Sequence, residues 1–163
     1  MFRKIRAFFQ MDWNMKWLLL EAYFYLGWAR ILKKMPFSKI APSLGDHMGE
    51  TTYEANSKDK PVLYSVSQAI HIMSRYTLWE SQCLVKAIAA MKMLEKRKVE
   101  TTLYLGTGKD DQGAFVAHAW LRSGPYYVTG FEGMEKFTVV SKFAKKTKQY
   151  KVEGDNYCEQ SQS

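Results

Sequence analysis

A chain of 163 residues, 47% hydrophobic and 15% aromatic, can bury the core of one compact domain with a helical extension. Two cysteines, Cys83 and Cys158, exclude a disulfide framework and read as a reduced, cytoplasmic protein. The net charge of +8 favours acidic partners, but no zinc-finger spacing, RNA-binding signature or Arg/aromatic alternation accompanies it, so nucleic acid is not expected.

Residues 1–11 read as a basic, aromatic, helical lead-in. Over 13–34, Trp13, Trp17, Leu20, Phe24 and Trp28 recur every three or four residues and predict a helix with one shared stripe, widened by Leu18, Ala22, Tyr25 and Ala29. Glu21 and Arg30 interrupt the apolar run, which is too short to span a bilayer; peripheral membrane contact stays open but is not the expected reading. The helix has two readings, packing against the sheet or a docking face for a partner. Pro36 ends it, and a short turn or helix follows as far as Leu44. Residues 45–61 are polar and read as a linker.

A second helix is predicted over 63–76, with Val66, Ala69, Ile70 and Met73 on one face. A third runs from about Gln82 to Lys96, rich in helix formers, with Ser81 as its cap and a basic C-terminal end. The period then changes from 3.6 to 2. Strands are predicted at 101–106, 114–122, 126–129 and 137–140, and Ser123-Gly124-Pro125 turns the middle pair into an antiparallel hairpin. Helices followed by an antiparallel sheet give the class α+β. The division reads as a helical segment at 1–45, a catalytic core at 62–144 and a disordered tail at 145–163.

Cys83 falls at the start of the third helix, where the dipole favours thiolate over thiol. His118, on a strand, can exchange its proton and later protonate a leaving amine. Cysteine followed by histidine is the order of papain-like and transglutaminase-like enzymes. A small buried hydrophobe is the competing account of Cys83. His47 and His71 compete as bases, but one sits in the linker and the other on a helix. No cluster has metal-ligand spacing, and neither metal nor cofactor is called for. Trp79 and Trp120 could wall a substrate site or simply fill core.

Trp79-x-x-x-Cys83-Leu84-x-x-Ala87, Leu103-x-Leu105-Gly106 and Ala117-His118-Ala119-Trp120 with Gly124 resemble the leader-peptidase subunit of lasso-peptide biosynthesis, in the transglutaminase-like superfamily. Leu20-Glu21-Ala22, Ala29-Arg30, Pro36-Phe37 and Leu44-Gly45 are similar to that subunit's opening, so the resemblance spans about residues 15–143. It implies a transglutaminase-like core and a cysteine protease that removes the leader from a ribosomally made (RiPP) precursor. It also implies the split form, served by a separate small leader-recognition protein, which is the partner in the docking reading of the aromatic helix, and by a separate ATP-dependent cyclase. The family commonly carries an aspartate twelve residues after the histidine; here Gly130 stands there. Glu132, Thr129 or a backbone carbonyl are the substitutes to orient the imidazole. A transglutaminase-like acyl-transferase and a non-catalytic peptide-binding module are the alternatives.

Overall fold

The computed structural model describes residues 12–78 and 82–147. The expected lead-in at 1–11, the Ser81 cap, Trp79, and the tail beyond 147 with Cys158 lie outside these residues. Helix α1 (Trp13–Leu32) stops short of Pro36, and α2 (Phe37–Leu44) follows it. Helix α3 (Lys60–Met73) begins three residues earlier than its periodicity suggests, because Pro61 is tolerated in a first turn whose N–H groups have no partner in the helix. Helix α4 (Cys83–Lys96) is the central one, with eight buried residues from Val85 to Leu94.

The sheet is antiparallel, in the order β1-β5-β2-β3-β4, built from β1 (Asp46–His47), β2 (Thr101–Lys109), β3 (Phe115–Ser123), β4 (Tyr126–Thr129) and β5 (Thr138–Lys145). This is the expected α+β architecture. Strand β5 runs beyond the expected 137–140 because Phe143 and Ala144 are buried, and it takes in Lys145, where the disordered tail is expected to begin; Thr147 is likewise tied down, donating to Glu100. Helix α4 packs on β2, β3 and β4, while α1 packs on α3 and α4 rather than on the sheet.

The side of α1 that faces the protein also differs from expectation. Leu18, Leu19, Ala22, Leu26 and Ala29 are buried, whereas Trp13, Trp17, Leu20, Phe24 and Trp28 are exposed. The residues expected to widen one stripe, Leu18, Ala22 and Ala29, are the ones that pack: the helix is apolar around most of its circumference, so periodicity does not tell which part of it is buried.

Strand alternation sorts the sheet into two faces. Leu103, Ala119, Leu121 and Phe143 join the helices in the core. Tyr104, Trp120 and Arg122 point the other way, under residues 46–56. That polar stretch reads as a linker in sequence but is held against the sheet. The Thr51 hydroxyl meets Thr102 Oγ1 at 2.8 Å. The buried Arg122 guanidinium donates to Tyr104 Oη, to the Thr51, Thr52 and Gly124 carbonyls and to Glu50, and stacks 3.6 Å over the Tyr53 ring. A buried guanidinium needs this full set of acceptors, which the backbone of 51–52 supplies.

Candidate active site

Cys83 is the first residue of α4 and is half-buried, packed against the edge of the core. Gln82 precedes it in extended conformation, and its side chain makes no capping bond to the first turn. Helix α4 packs on β3, the strand that carries His118, and Cys83 lies at the margin of the core between them.

His118 is fixed from three directions. Its Nε2 lies 2.7 Å from the Gly130 carbonyl. Its ring stacks on Trp120, with centroids 5.8 Å apart, and on Phe137, at 4.9 Å. A carbonyl oxygen only accepts, so Nε2 carries the proton and the neutral ring has its lone pair on Nδ1. Gly130 can do this because it is glycine. It follows the end of β4 at φ 70°, which turns its carbonyl back over β3, and an added Cβ would sit 2.4 Å from the Ala119 carbonyl oxygen. The position where the family commonly has aspartate therefore holds a backbone acceptor and has no room for a side chain. Gly106, paired with His118 across β2 and β3, makes space in the same way: an added Cβ would lie 2.9 Å from the Trp120 ring.

The structure brings His118, Trp120, Phe137 and Gly130 together, and it does not join Cys83 to His118 by a hydrogen bond. Register and alternation put His118 on the sheet face that carries Trp120, opposite the Ala119 and Leu121 side chains that meet the helices. Trp120 is buried, stacked between Tyr104 at 5.6 Å and His118. Glu132 is exposed and makes no hydrogen bond or ion pair among the described residues. Thr129 Oγ1 is buried without a hydrogen-bond partner among these residues. His47 lies on β1, where Nε2 meets Ser141 Oγ at 3.2 Å, and His71 is exposed on α3. Two cavities, of 210 Å³ beside Thr51 and Tyr126 and of 540 Å³ between α1 and α3, include neither Cys83 nor His118.

Behind the aromatic stack, Lys142 and the Tyr104 hydroxyl hold the Glu50 carboxylate down to about 2, burial opposing them. Burial, and next the Glu50 carboxylate, push the Tyr104 hydroxyl up. Phe137, Tyr104 and Glu50 carry no sequence signal of their part in the site, and Gly106 enters only as the end of the Leu103-x-Leu105-Gly106 motif. Only the glycine pair, one on each side of a histidine strand, hints at a crowded ring.

A sequence model described as the transglutaminase-like superfamily matches residues 31–142. No curated protein and no solved structure matches the chain. Among the described residues, no helix is long and apolar enough to cross a membrane.

Proposed function

We propose that this chain, which belongs to the transglutaminase-like superfamily, is a cysteine endopeptidase that removes the leader from a lasso-peptide precursor. The observation that carries the reading is the fixed imidazole. Gly130 holds the proton on Nε2, two aromatic rings clamp the plane, and Nδ1 is left as the base. The reacting thiol is that of Cys83, at the head of the helix lying on the same sheet. The free protein places His118 on the sheet face away from the helices, so the dyad requires a rearrangement on substrate binding before the proton is exchanged.

In this reaction the Cys83 thiolate attacks the carbonyl of the last leader residue. The backbone N–H of Cys83, at the helix start, donates to the oxyanion. His118 protonates the departing amine of the core peptide. Water, losing its proton to His118, then releases the leader from the thioester. Gly130 is the orienting group, and Glu132 would act only if the loop rearranged. A separate small leader-recognition protein presents the leader, and an ATP-dependent cyclase closes the ring afterwards, in the cytoplasm. The same dyad would serve acyl transfer if an amine, rather than water, resolved the thioester.

One observation favours a non-catalytic peptide-binding role: His118 shares its face with Trp120 and makes no bond to Cys83. Mass spectrometry of the cognate precursor separates the readings. Wild type and Cys83→Ala are each incubated with and without the leader-recognition protein. A single cut at the leader–core boundary, lost in Cys83→Ala, is the expected result. An intact precursor after incubation with folded wild type and partner rejects the protease.

A further inference from the structure

The outer face of α1 has no counterpart in the site. Trp13, Trp17, Leu20, Phe24, Trp28 and Ile31 follow each other at spacings of three and four, over a helix about 30 Å long. Trp13 is 67% exposed, Trp17 59%, Phe24 72% and Ile31 65%. Isolated exposed apolar side chains are ordinary; a continuous line of them marks a binding surface. The opposite side of α1 is already committed to α3 and α4, so the outer line adds nothing to the fold.

Charge tells what covers it. At 100° per residue, Lys16 and Arg30 run along one margin of the stripe, and Lys34 follows in the turn just past the end of α1. On the other margin, the Lys92 ammonium lies 5.8 Å from the Trp28 ring, and Lys96 and Arg97 bind Glu21 at 3.3 and 2.6 Å. Glu21 is the one acidic residue within α1, and it is thus neutralised. The eleven residues before Asp12 add Arg3, Lys4 and Arg6, with no acid, interleaved with Phe2, Ile5, Phe8 and Phe9. A protein interface is depleted of lysine around its apolar core, and an exposed single helix offers a ridge rather than a groove. Trp, Phe and Leu along a ridge bordered by Lys and Arg is the pattern of a helix lying in a bilayer interface. Glu21 and Arg30 exclude spanning without opposing this orientation.

We propose that the outer face of α1 binds the surface of an anionic lipid bilayer, with the helix lying in the membrane plane. The aromatics enter the headgroup boundary, and the cations meet acidic headgroups. The surface does not depend on the peptidase chemistry.

The test is co-sedimentation of the full chain with vesicles of phosphatidylcholine and phosphatidylserine in equal parts, and with pure phosphatidylcholine. Tryptophan emission is followed in parallel. Wild type should bind the mixed vesicles, with a blue shift, and much less the neutral ones; raising the salt to about 1 M should weaken binding. Trp17→Ser/Phe24→Ser should lower partition by at least about tenfold. Lys16→Glu/Lys34→Glu should lose the preference for phosphatidylserine. Trp17, Phe24 and Lys16 lie on the outer face or its margin and Lys34 in the turn after the helix, and circular dichroism melts verify that the variants fold. Absence of binding by wild type overturns the proposal. So does unchanged binding by folded Trp17→Ser/Phe24→Ser, which would move the lipid contact elsewhere. So too does a wild type that ignores vesicles but forms dimers, or binds the leader-recognition protein, through these same aromatics.

Discussion

Replacing Gly130 with aspartate would restore the family's common residue, yet it should damage this protein. The backbone there has φ 70°, and an added Cβ lies 2.4 Å from the Ala119 carbonyl oxygen and 3.1 Å from Trp120 Cα. The left-handed conformation alone costs about 1–2 kcal/mol for a residue with a Cβ, somewhat less for aspartate. Both contacts are to backbone, so no side-chain rotation relieves them. The chain must instead rotate at 130, which swings the carbonyl off His118 Nε2 and removes a bond of about 1 kcal/mol. Together these give a loss of about 2–4 kcal/mol in folding stability.

Urea unfolding followed by circular dichroism, extrapolated linearly, measures that loss. Precursor cleavage measures what happens to the imidazole. Gly130→Ala carries the same strain without the carboxylate, so the difference between the two variants isolates any help the carboxylate gives. Both should be destabilised, Gly130→Asp slightly less than Gly130→Ala, and both should cut more slowly than wild type. A Gly130→Asp protein within about 0.5 kcal/mol of wild type, cutting faster, would refute the reasoning. It would show that the loop accommodates the side chain and that the carbonyl is a poor substitute for it.

Two further outcomes follow from the same geometry. If His118 is the proton acceptor of Cys83, His118→Ala should slow alkylation of Cys83 by at least about tenfold near neutral pH and leave Cys158 unchanged; equal rates in both proteins would separate the two residues. Glu50 has its carboxyl depressed from 4.5 to about 2, so its contribution is present above the unfolded value and is lost as pH falls towards 2. The span corresponds to about 3 kcal/mol, less screening at the partly exposed carboxylate; the unfolding free energy of wild type from urea titrations should fall between pH 5 and 2 by up to that amount relative to Glu50→Gln, and parallel curves for the two proteins would remove Glu50 from the account.

The parts of this fold legible in sequence are those where one local rule dominates. Helix α4 is an uninterrupted run of helix formers, and β4 is bounded by Pro125 and Gly130, so both appear within a residue of expectation. Where two rules compete, the sequence is silent. Helix α1 is apolar on opposite sides, and only α3 and α4 decide which stripe is buried. Residues 46–56 are polar in composition, as linkers are, yet their carbonyls satisfy Arg122, a tertiary demand that leaves no mark on the segment itself. Phe137 reaches His118 only because β5 returns beside β2.

Ala117-His118-Ala119-Trp120 carries more than it first yields. Alternation alone says that His118 and Trp120 share a face, and that the other face is small enough at Ala119 for α4 to approach closely. It follows that a base on this strand cannot be oriented from the helix side. Its orienting group has to come from the strand that follows, at the point where the chain turns back over His118. A glycine is the residue type that can make that turn and offer its carbonyl. Gly130, which looks in sequence like a lost aspartate, is in the fold the acceptor that fixes the imidazole.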